Sequence, residues 1–270
     1  MKPLQHNHSF HQARFHAHAL SSAPVQTYLP TQRVALVTGA NRGIGREVAY
    51  VLGKTGARIL LGVRDIAAGE AVAAEMRAEG IYANCLYLDL NLPETLDTAA
   101  QDIEEDYGRL DILINNAGIA DLADGSPGTA AMEAVRRVFD TNFFGTLSVT
   151  QAMLPLLRKS RGGRIVNVSS GLGSLAGNGN PQSEFADIKK IGYSASKAAL
   201  NMLTVQLAYE LREYGIKVNS ADPGYTATDL NSHNGYQSVA QGAISSVRLA
   251  LLEDDGPSGG FFSAAEERHW

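Results

Sequence analysis

The sequence predicts an α/β protein: a single domain built on a parallel sheet, with helices packed on both of its faces. Two observations predict it. From Arg33 onward, short apolar runs rich in β-branched residues alternate with longer stretches of helical period, as repeated strand–helix–strand units require. The first of those runs then breaks into three glycines within seven residues, Gly39, Gly43 and Gly45, just where a helix begins.

The elements follow in order. "RVALVT" reads as a buried strand and "GREVAYVLGKTG" as a helix that stops at a glycine. "ARILLGV" is a second strand, and "IAAGEAVAAEMRAEG" a second helix with its apolar residues on one face. "ANCLYLDL", "LDILINN", "GGRIVNVSS" and "GIKVNSAD" are further strands. Between them "ETLDTAAQDIEEDYG", "AMEAVRRVFDTNFFGTLSVTQAMLPLLRKS" and "GYSASKAALNMLTVQLAYEL" carry helical period, and "GGFF" near the end is strand-like. No repeat and no linker divides residues 33–270. Residues 1–32 differ: they hold five of the seven histidines (His6, His8, His11, His16 and His18), no acidic residue and no periodic pattern. This segment reads as a disordered extension whose histidines bind metal only adventitiously, so no metal site is expected.

Composition narrows the classes. A 270-residue chain that is 44% hydrophobic and 19% charged is ordinary for a globular protein. Its 23 basic and 28 acidic residues give a net charge of −5, which argues against nucleic acid as a partner. One cysteine, Cys85, excludes an internal disulfide and fits a reducing, cytoplasmic setting; in its apolar run it reads as a buried structural thiol. No apolar run approaches the ~20 residues that span a bilayer.

Strand, glycine turn and helix in that order make an anion site, because the turn's N–H groups and the helix N-terminus point at one spot. Gly39 permits the turn, Gly43 leaves room for a pyrophosphate, and Gly45 lets the helix pack on the strand. The spacing G-x-x-x-G-x-G is neither G-x-G-x-x-G nor a P-loop, and alone it is a weak signal beside which a structural turn stays open.

The turn has company. "TGANRGIG" (38–45), "NNAG" (115–118), Asn142, "IVNVSS" ending at Ser170, "YSASK" (193–197) and "DPGYTAT" (222–228) occur in that order. Over residues 33–270 this set resembles the short-chain dehydrogenase/reductase family, in its compact one-domain subclass. The resemblance implies a doubly wound, Rossmann-type sheet of about seven parallel strands, with a nicotinamide cofactor lying along their carboxyl ends. It places Gly39, Asn41, Arg42, Gly43, Ile44 and Gly45 at the cofactor's phosphates, and Asp89 and Leu90 beside the adenine. Asn116, Ala117 and Gly118 fall at the adenosine ribose and sheet centre, and Pro223, Gly224, Thr226 and Thr228 at the nicotinamide amide and pyrophosphate. The second strand decides between cofactors. Where an NAD site carries an acid for the ribose hydroxyl, the family's register puts Val63; Arg64 follows, and Asp65 comes one position late. Arg64 and Arg42 can converge on a 2′-phosphate, which predicts NADPH/NADP+.

Tyr193 and Lys197, four apart on a helical stretch, share one face. By the resemblance Tyr193 gives a proton to a carbonyl oxygen, which Ser170 holds. Lys197 lowers the tyrosine pKa and bonds the nicotinamide ribose, while Asn142 anchors a water that reconnects Lys197 to solvent. Taken singly, each is an ordinary core-edge, turn or helix residue; their order and context make the set. By the resemblance the catalytic serine is the second of the pair, so Ser169 is rejected; strand alternation turns it to the opposite face.

Two features depart from the minimal family pattern. Twenty-two residues (171–192) separate Ser170 from Tyr193, about ten more than usual, with a possible short helix at 183–190. This insertion either lines the substrate site or obstructs the interface many members use to oligomerise, so the oligomeric state stays open. The ending "GPSGGFFSAAEERHW" together with the insertion resembles the carbonyl-reductase-like branch, and "GYTATDLNSHNGYQS" would be a mobile substrate lid. A reductase of small-molecule ketones, aldehydes or quinones, or the reverse alcohol dehydrogenase, is therefore expected. A 3-oxoacyl-thioester reductase and a non-catalytic NADP-binding sensor are the alternatives. Sugar epimerases and dehydratases are longer and space their glycines differently.

Overall fold

Seven of the apolar runs become seven parallel strands in the computed structural model, which describes residues 32–270. The histidine-rich segment, with its expected disorder and adventitious metal binding, lies outside the described residues apart from Gln32. The strands are β1 (Val34–Thr38), β2 (Arg58–Val63), β3 (Ala83–Tyr87), β4 (Ile112–Asn115), β5 (Arg164–Val168), β6 (Lys217–Ala221) and β7 (Phe261–Phe262), in spatial order β3-β2-β1-β4-β5-β6-β7. The chain winds outward from β1 to β3, then returns to lay β4 on the other side of β1. That reversal opens a crevice at the carboxyl ends of β1 and β4, where ligands bind in sheets of this kind.

Alternation along the strands feeds two cores. Ala35 and Val37 of β1 join Val48, Leu52, Val72, Met76 and Leu249 on one face. Val34 and Leu36 join Leu96, Ile103, Val149, Met153 and Leu207 on the other. The first layer comes from α1 (Gly43–Lys54), α2 (Ile66–Ala78) and α8 (Val239–Ala250); the second from α3 (Pro93–Tyr107), α5 (Thr146–Leu157) and α7 (Ile191–Glu210), preceded by α4 (Met132–Phe139). Full burial of each such aliphatic side chain contributes about 1.5–3 kcal/mol. A polar thread also crosses the core at 2.8 Å per step: Asn115 Nδ2 donates to Asn167 Oδ1, Asn167 Nδ2 to Thr204 Oγ1, and Thr204 meets Ser220. Because unpaired buried amides are costly, this thread fixes the mutual register of the elements just below the crevice.

Three local expectations are corrected. The helix expected at 183–190 does not form; those residues make successive turns. The Asn180 and Ser183 side chains bond backbone N–H groups two residues on, at 3.0 and 3.2 Å, which offers the chain an alternative to helix. The insertion's helix is instead the short α6 (Leu175–Gly179), capped by Ser174, whose Oγ accepts from Gly177 N at 2.9 Å. The long helical stretch between β4 and β5 is interrupted by a π-helical segment, Asp140–Gly145, joining α4 to α5. Cys85 is half-buried rather than fully buried, and burial pushes its thiol up to about 11, so it stays protonated and inert. None of the described helices is long and apolar enough to cross a membrane.

Candidate active site

At the carboxyl end of β1, Gly39 and Gly43 take φ of +64° and +54°, the left-handed region that glycine enters freely. Gly39 also admits close approach, since a Cβ there would lie 3.1 Å from Ala117 Cα. Gly45 is packed as closely as expected: a Cβ there would lie 2.6 Å from Gly39 O, just past β1, and would also collide with the Asn116 amide. Asn116 Nδ2 donates to Thr38 O at 2.8 Å, and Thr38 Oγ1 accepts from the N–H groups of Asn116 and Ala117, each at 3.0 Å. The Asn116 side chain thus braces the glycine turn from β4. Arg42 occupies the N-cap of α1 and supplies no side-chain bond, so no side chain caps the first-turn N–H groups at Gly43, Ile44 and Gly45. Asn41, half-buried, completes the rim. An open helix terminus behind a turn of left-handed glycines suits a pyrophosphate, and the Thr228 methyl stands opposite, 3.6 Å from a Cβ at Gly43.

The two arginines are engaged differently. Arg64 is exposed directly after β2, whereas Arg42 Nη1 pairs with Asp229 Oδ2 at 3.2 Å across the turn. Asp65 accepts from Ala68 N at 3.0 Å as the N-cap of α2, so its carboxylate is already engaged. Asp89 is half-buried after β3 and accepts from Asn91 N. Leu90 is 8% exposed and belongs to the core, packed where a Gly145 side chain would stand, so it offers the crevice little more than backbone.

The second half of the crevice gathers Ser170, Tyr193, Lys197 and Asn142. Helix α7 starts at Ile191, and its cap comes from 67 positions earlier in the chain: the buried Asp124 carboxylate accepts from Gly192 N and Tyr193 N, each at 2.9 Å. Gly192 is needed for that approach, since a Cβ there would lie 3.2 Å from the carboxylate and 3.1 Å from Val135 Cα. Tyr193 is thereby fixed by its own backbone. Its hydroxyl stands beside Ser170, whose Oγ accepts from Leu172 N at 3.2 Å. Ser169 turns away, and its Oγ donates to Lys197 O at 3.4 Å. Lys197 is 4% exposed; its Nζ donates to Val168 O at 2.7 Å and lies 5.7 Å from the Tyr193 ring centre. Gly118 completes this corner, where a Cβ would meet Asn142 Oδ1 at 3.2 Å and Lys197 Nζ at 3.5 Å.

Protonation departs from expectation. Burial pushes Tyr193 up to about 12 despite Ser170, which favours the phenolate, and burial alone brings Lys197 down to about 8. The expected lowering of Tyr193 by Lys197 is not present in the protein alone: the ammonium is aimed at the Val168 carbonyl, and burial dominates the tyrosine. Asn142, in the π segment, is 1% exposed, and its amide is committed: Oδ1 accepts from Ile119 N at 2.8 Å, while Nδ2 donates to Ile119 O at 3.0 Å and Ser196 Oγ at 3.1 Å. Only the second lone pair of Oδ1 remains on that side chain for a water.

Beyond β6, Asp222 Oδ1 accepts from Gly224 N at 3.0 Å and shapes the Pro223-Gly224 turn, with Gly224 at φ +68°. Thr226, 4% exposed, spends its hydroxyl on Pro223 O at 3.0 Å. The loop that follows is tied to itself, with Ala227 N on Gln237 O at 2.9 Å and Gln237 N on Tyr225 O at 3.1 Å. Tyr225 and Tyr236 present an exposed edge-to-face pair there. The site thus also rests on Thr38, Asp124 and Ser196, which the sequence reading passed over. Thr38 sat inside a quoted motif, whereas a carboxylate in "DLADG" carried no signal that it caps a helix 67 residues on.

Comparison with known proteins gives a consistent picture. A family model described as short chain dehydrogenase matches residues 33–238. The "Short-chain dehydrogenase anuI" of Penicillium roqueforti is 38% identical over 226 residues, covering 82% of this chain and 89% of that one. The structure of salutaridine reductase from Papaver somniferum superposes with a TM-score of 0.74 at 28% identity, over 86% of this chain and 99% of the other. The NADPH-bound carbonyl reductase from chicken fatty liver does so with a TM-score of 0.77 at 27% identity, over 88% and 99%.

Proposed function

The chain belongs to the short-chain dehydrogenase/reductase family, and on that premise we propose that it is a cytoplasmic, NADPH-dependent reductase of small-molecule ketones, aldehydes or quinones. The observation that carries the reading is the buried corner in which the Tyr193 hydroxyl stands beside Ser170 while Lys197 and Asn142 line the same space. The glycine turn and the uncapped start of α1 would hold the cofactor's pyrophosphate, and the Pro223-Gly224 turn its nicotinamide end. When bound, that cofactor supplies the hydride. The protein's own part is the proton. Tyr193, neutral at physiological pH, holds one at its hydroxyl and gives it to a substrate carbonyl oxygen. Ser170 bonds the same oxygen, most strongly as it gains alkoxide character. Lys197, titrating near 8, stands close enough to favour the phenolate that remains. Preference for NADPH is supported by Arg64 at the end of β2, by Arg42 on the glycine turn, and by the prior engagement of Asp65. Arg42 would exchange Asp229 for the 2′-phosphate.

The test is NADPH oxidation against a panel of aldehydes, ketones, quinones and oxoacyl thioesters, with NADH as control. Turnover of a ketone, aldehyde or quinone is expected, and Tyr193→Phe is expected to lose it by roughly 10²–10⁴-fold while still binding NADPH. Turnover confined to the thioesters overturns the substrate class. Binding without turnover across the panel points to a non-catalytic NADP sensor.

A further inference from the structure

Residues 263–270 reach both sides of the candidate site. Arg268 N donates to Phe261 O at 2.7 Å, Ser174 Oγ to His269 O at 2.8 Å and Ala176 N to Trp270 O at 2.9 Å, while the Trp270 ring stacks on Phe261. These bonds pin the tail to β7 on one side and to the start of the insertion on the other. Between the anchors, the Arg268 side chain touches two groups. Its Nε lies 2.5 Å from Asp222 Oδ2, an ion pair without hydrogen-bond alignment, and its guanidinium carbon sits 5.9 Å from the centre of the Phe185 ring. Both contacts lead to the site. Asp222, 3% exposed, holds Gly224 N through its other oxygen. Phe185 lies against Gly171, next to Ser170, so closely that any side chain at Gly171 would collide with its ring.

We propose that Arg268 is a positioning residue: it fixes the Asp222-Pro223-Gly224 turn through Asp222 and the insertion through Phe185, and it offsets the Asp222 charge, which otherwise faces Tyr193 unopposed. A buried carboxylate without its partner is costly. Facing Tyr193 are Ser170 from the end of β5, Lys197 from α7 and Asp222 from the end of β6, and of these Asp222 opposes the phenolate. The inference rests on the reductase reading for its kinetic arm alone.

The experiment uses the full chain as wild type, Arg268→Met, Arg268→Lys, Asp222→Asn and the Asp222→Asn/Arg268→Met double variant. Two readouts are taken: the NADPH dissociation constant from the cofactor's own fluorescence, and the pH profile of alcohol oxidation. In oxidation Tyr193 must accept a proton, so activity rises with pH as it ionises. Arg268→Met is expected to weaken NADPH binding about tenfold and to move that rise upward by about one pH unit. The double variant is expected to restore both, and Arg268→Lys to keep both. Asp222→Asn alone, which leaves the cation unopposed, moves the rise downward, and it decides the matter if Arg268→Met does not fold. Wild-type values for Arg268→Met, a double variant no better than the single, or an unmoved rise in Asp222→Asn would overturn the proposal. If wild type turns over nothing on the panel, the reductase reading fails, and the dissociation constants still decide the role of Arg268.

Discussion

Helices α1 and α7 both begin at the crevice, and their N-termini are finished in opposite ways. That of α1 has Arg42 at its cap and no side-chain acceptor for its first N–H groups. That of α7 is closed by the Asp124 carboxylate, which takes Gly192 N and Tyr193 N at 2.9 Å each. A helix start carries partial positive charge and unsatisfied donors. Left open, it is a site for an external anion; filled by the protein's own carboxylate, it becomes a mount for whatever side chain follows. The same physics receives a ligand at one helix and immobilises a proton donor at the other.

The sharpest way to break this contrast is to close α1. Arg42→Asp puts a carboxylate at its cap, where the pyrophosphate would sit. NADPH binding is expected to weaken by about a hundredfold, while the new cap adds about 0.5–1 kcal/mol of stability, read as a raised Tm. Part of the loss comes from the missing guanidinium. Arg42→Ser, which caps without charge, measures that part, and NADH removes the 2′-phosphate from the comparison. Retained affinity in Arg42→Asp would mean that α1 does not receive the anion.

Opening α7 is the converse. Asp124→Ala frees two buried N–H groups and loosens Tyr193, so kcat is expected to fall about tenfold with little change in the NADPH dissociation constant. Asp124→Asn, a comparable cap, should recover most of it. An equal loss of cofactor binding would show that Asp124 supports the fold at large rather than the tyrosine.

A smaller effect concerns the charge that α7 buries. Lys197 titrates near 8 in the folded protein against 10.5 ordinarily, so between those values the unfolded chain binds more protons and stability rises with pH. Below 8 both states are protonated and the penalty of burying the ammonium is fully present. Lys197→Met is therefore expected to gain several degrees of Tm over wild type at pH 7, and to lose that advantage progressively from pH 8 to 10. An advantage that does not vary with pH would mean that Lys197 is not charged in the fold at pH 7.

The same contrast explains what the sequence disclosed. The open terminus is a local affair: strand, positive-φ glycines and helix lie within twenty residues, and their order suggested an anion site, while the family resemblance supplied the winding of the sheet and the crevice. Tyr193 and Lys197 share a helix face, and alternation separated Ser169 from Ser170, so these too were legible. The cap on α7 was not, since Asp124 acts across 69 positions through a backbone bond that leaves no periodic trace. The tie from Arg268 to Asp222 is likewise a meeting of elements remote in sequence. Periodicity over 131–160 predicted helix correctly but could not show the π segment that carries Asn142, since one surplus residue in a turn leaves hydrophobic spacing nearly intact. The insertion was recognised by its length, but its helix was misplaced because short side chains at Asn180 and Ser183 captured the backbone locally.

The sequence holds one tryptophan, Trp270, and the fold stacks it on Phe261 at 5.6 Å with the rings 13° apart. The protein's intrinsic indole emission therefore comes from one place and reports one event. While the tail is seated, the indole is partly screened from water; if the tail peels away, emission moves to the red and the fully buried Phe261 ring loses its cover. A time-resolved or quencher-accessibility record of that single fluorophore would follow seating and release of the tail without a label. It would also rank tail variants before any substrate is known.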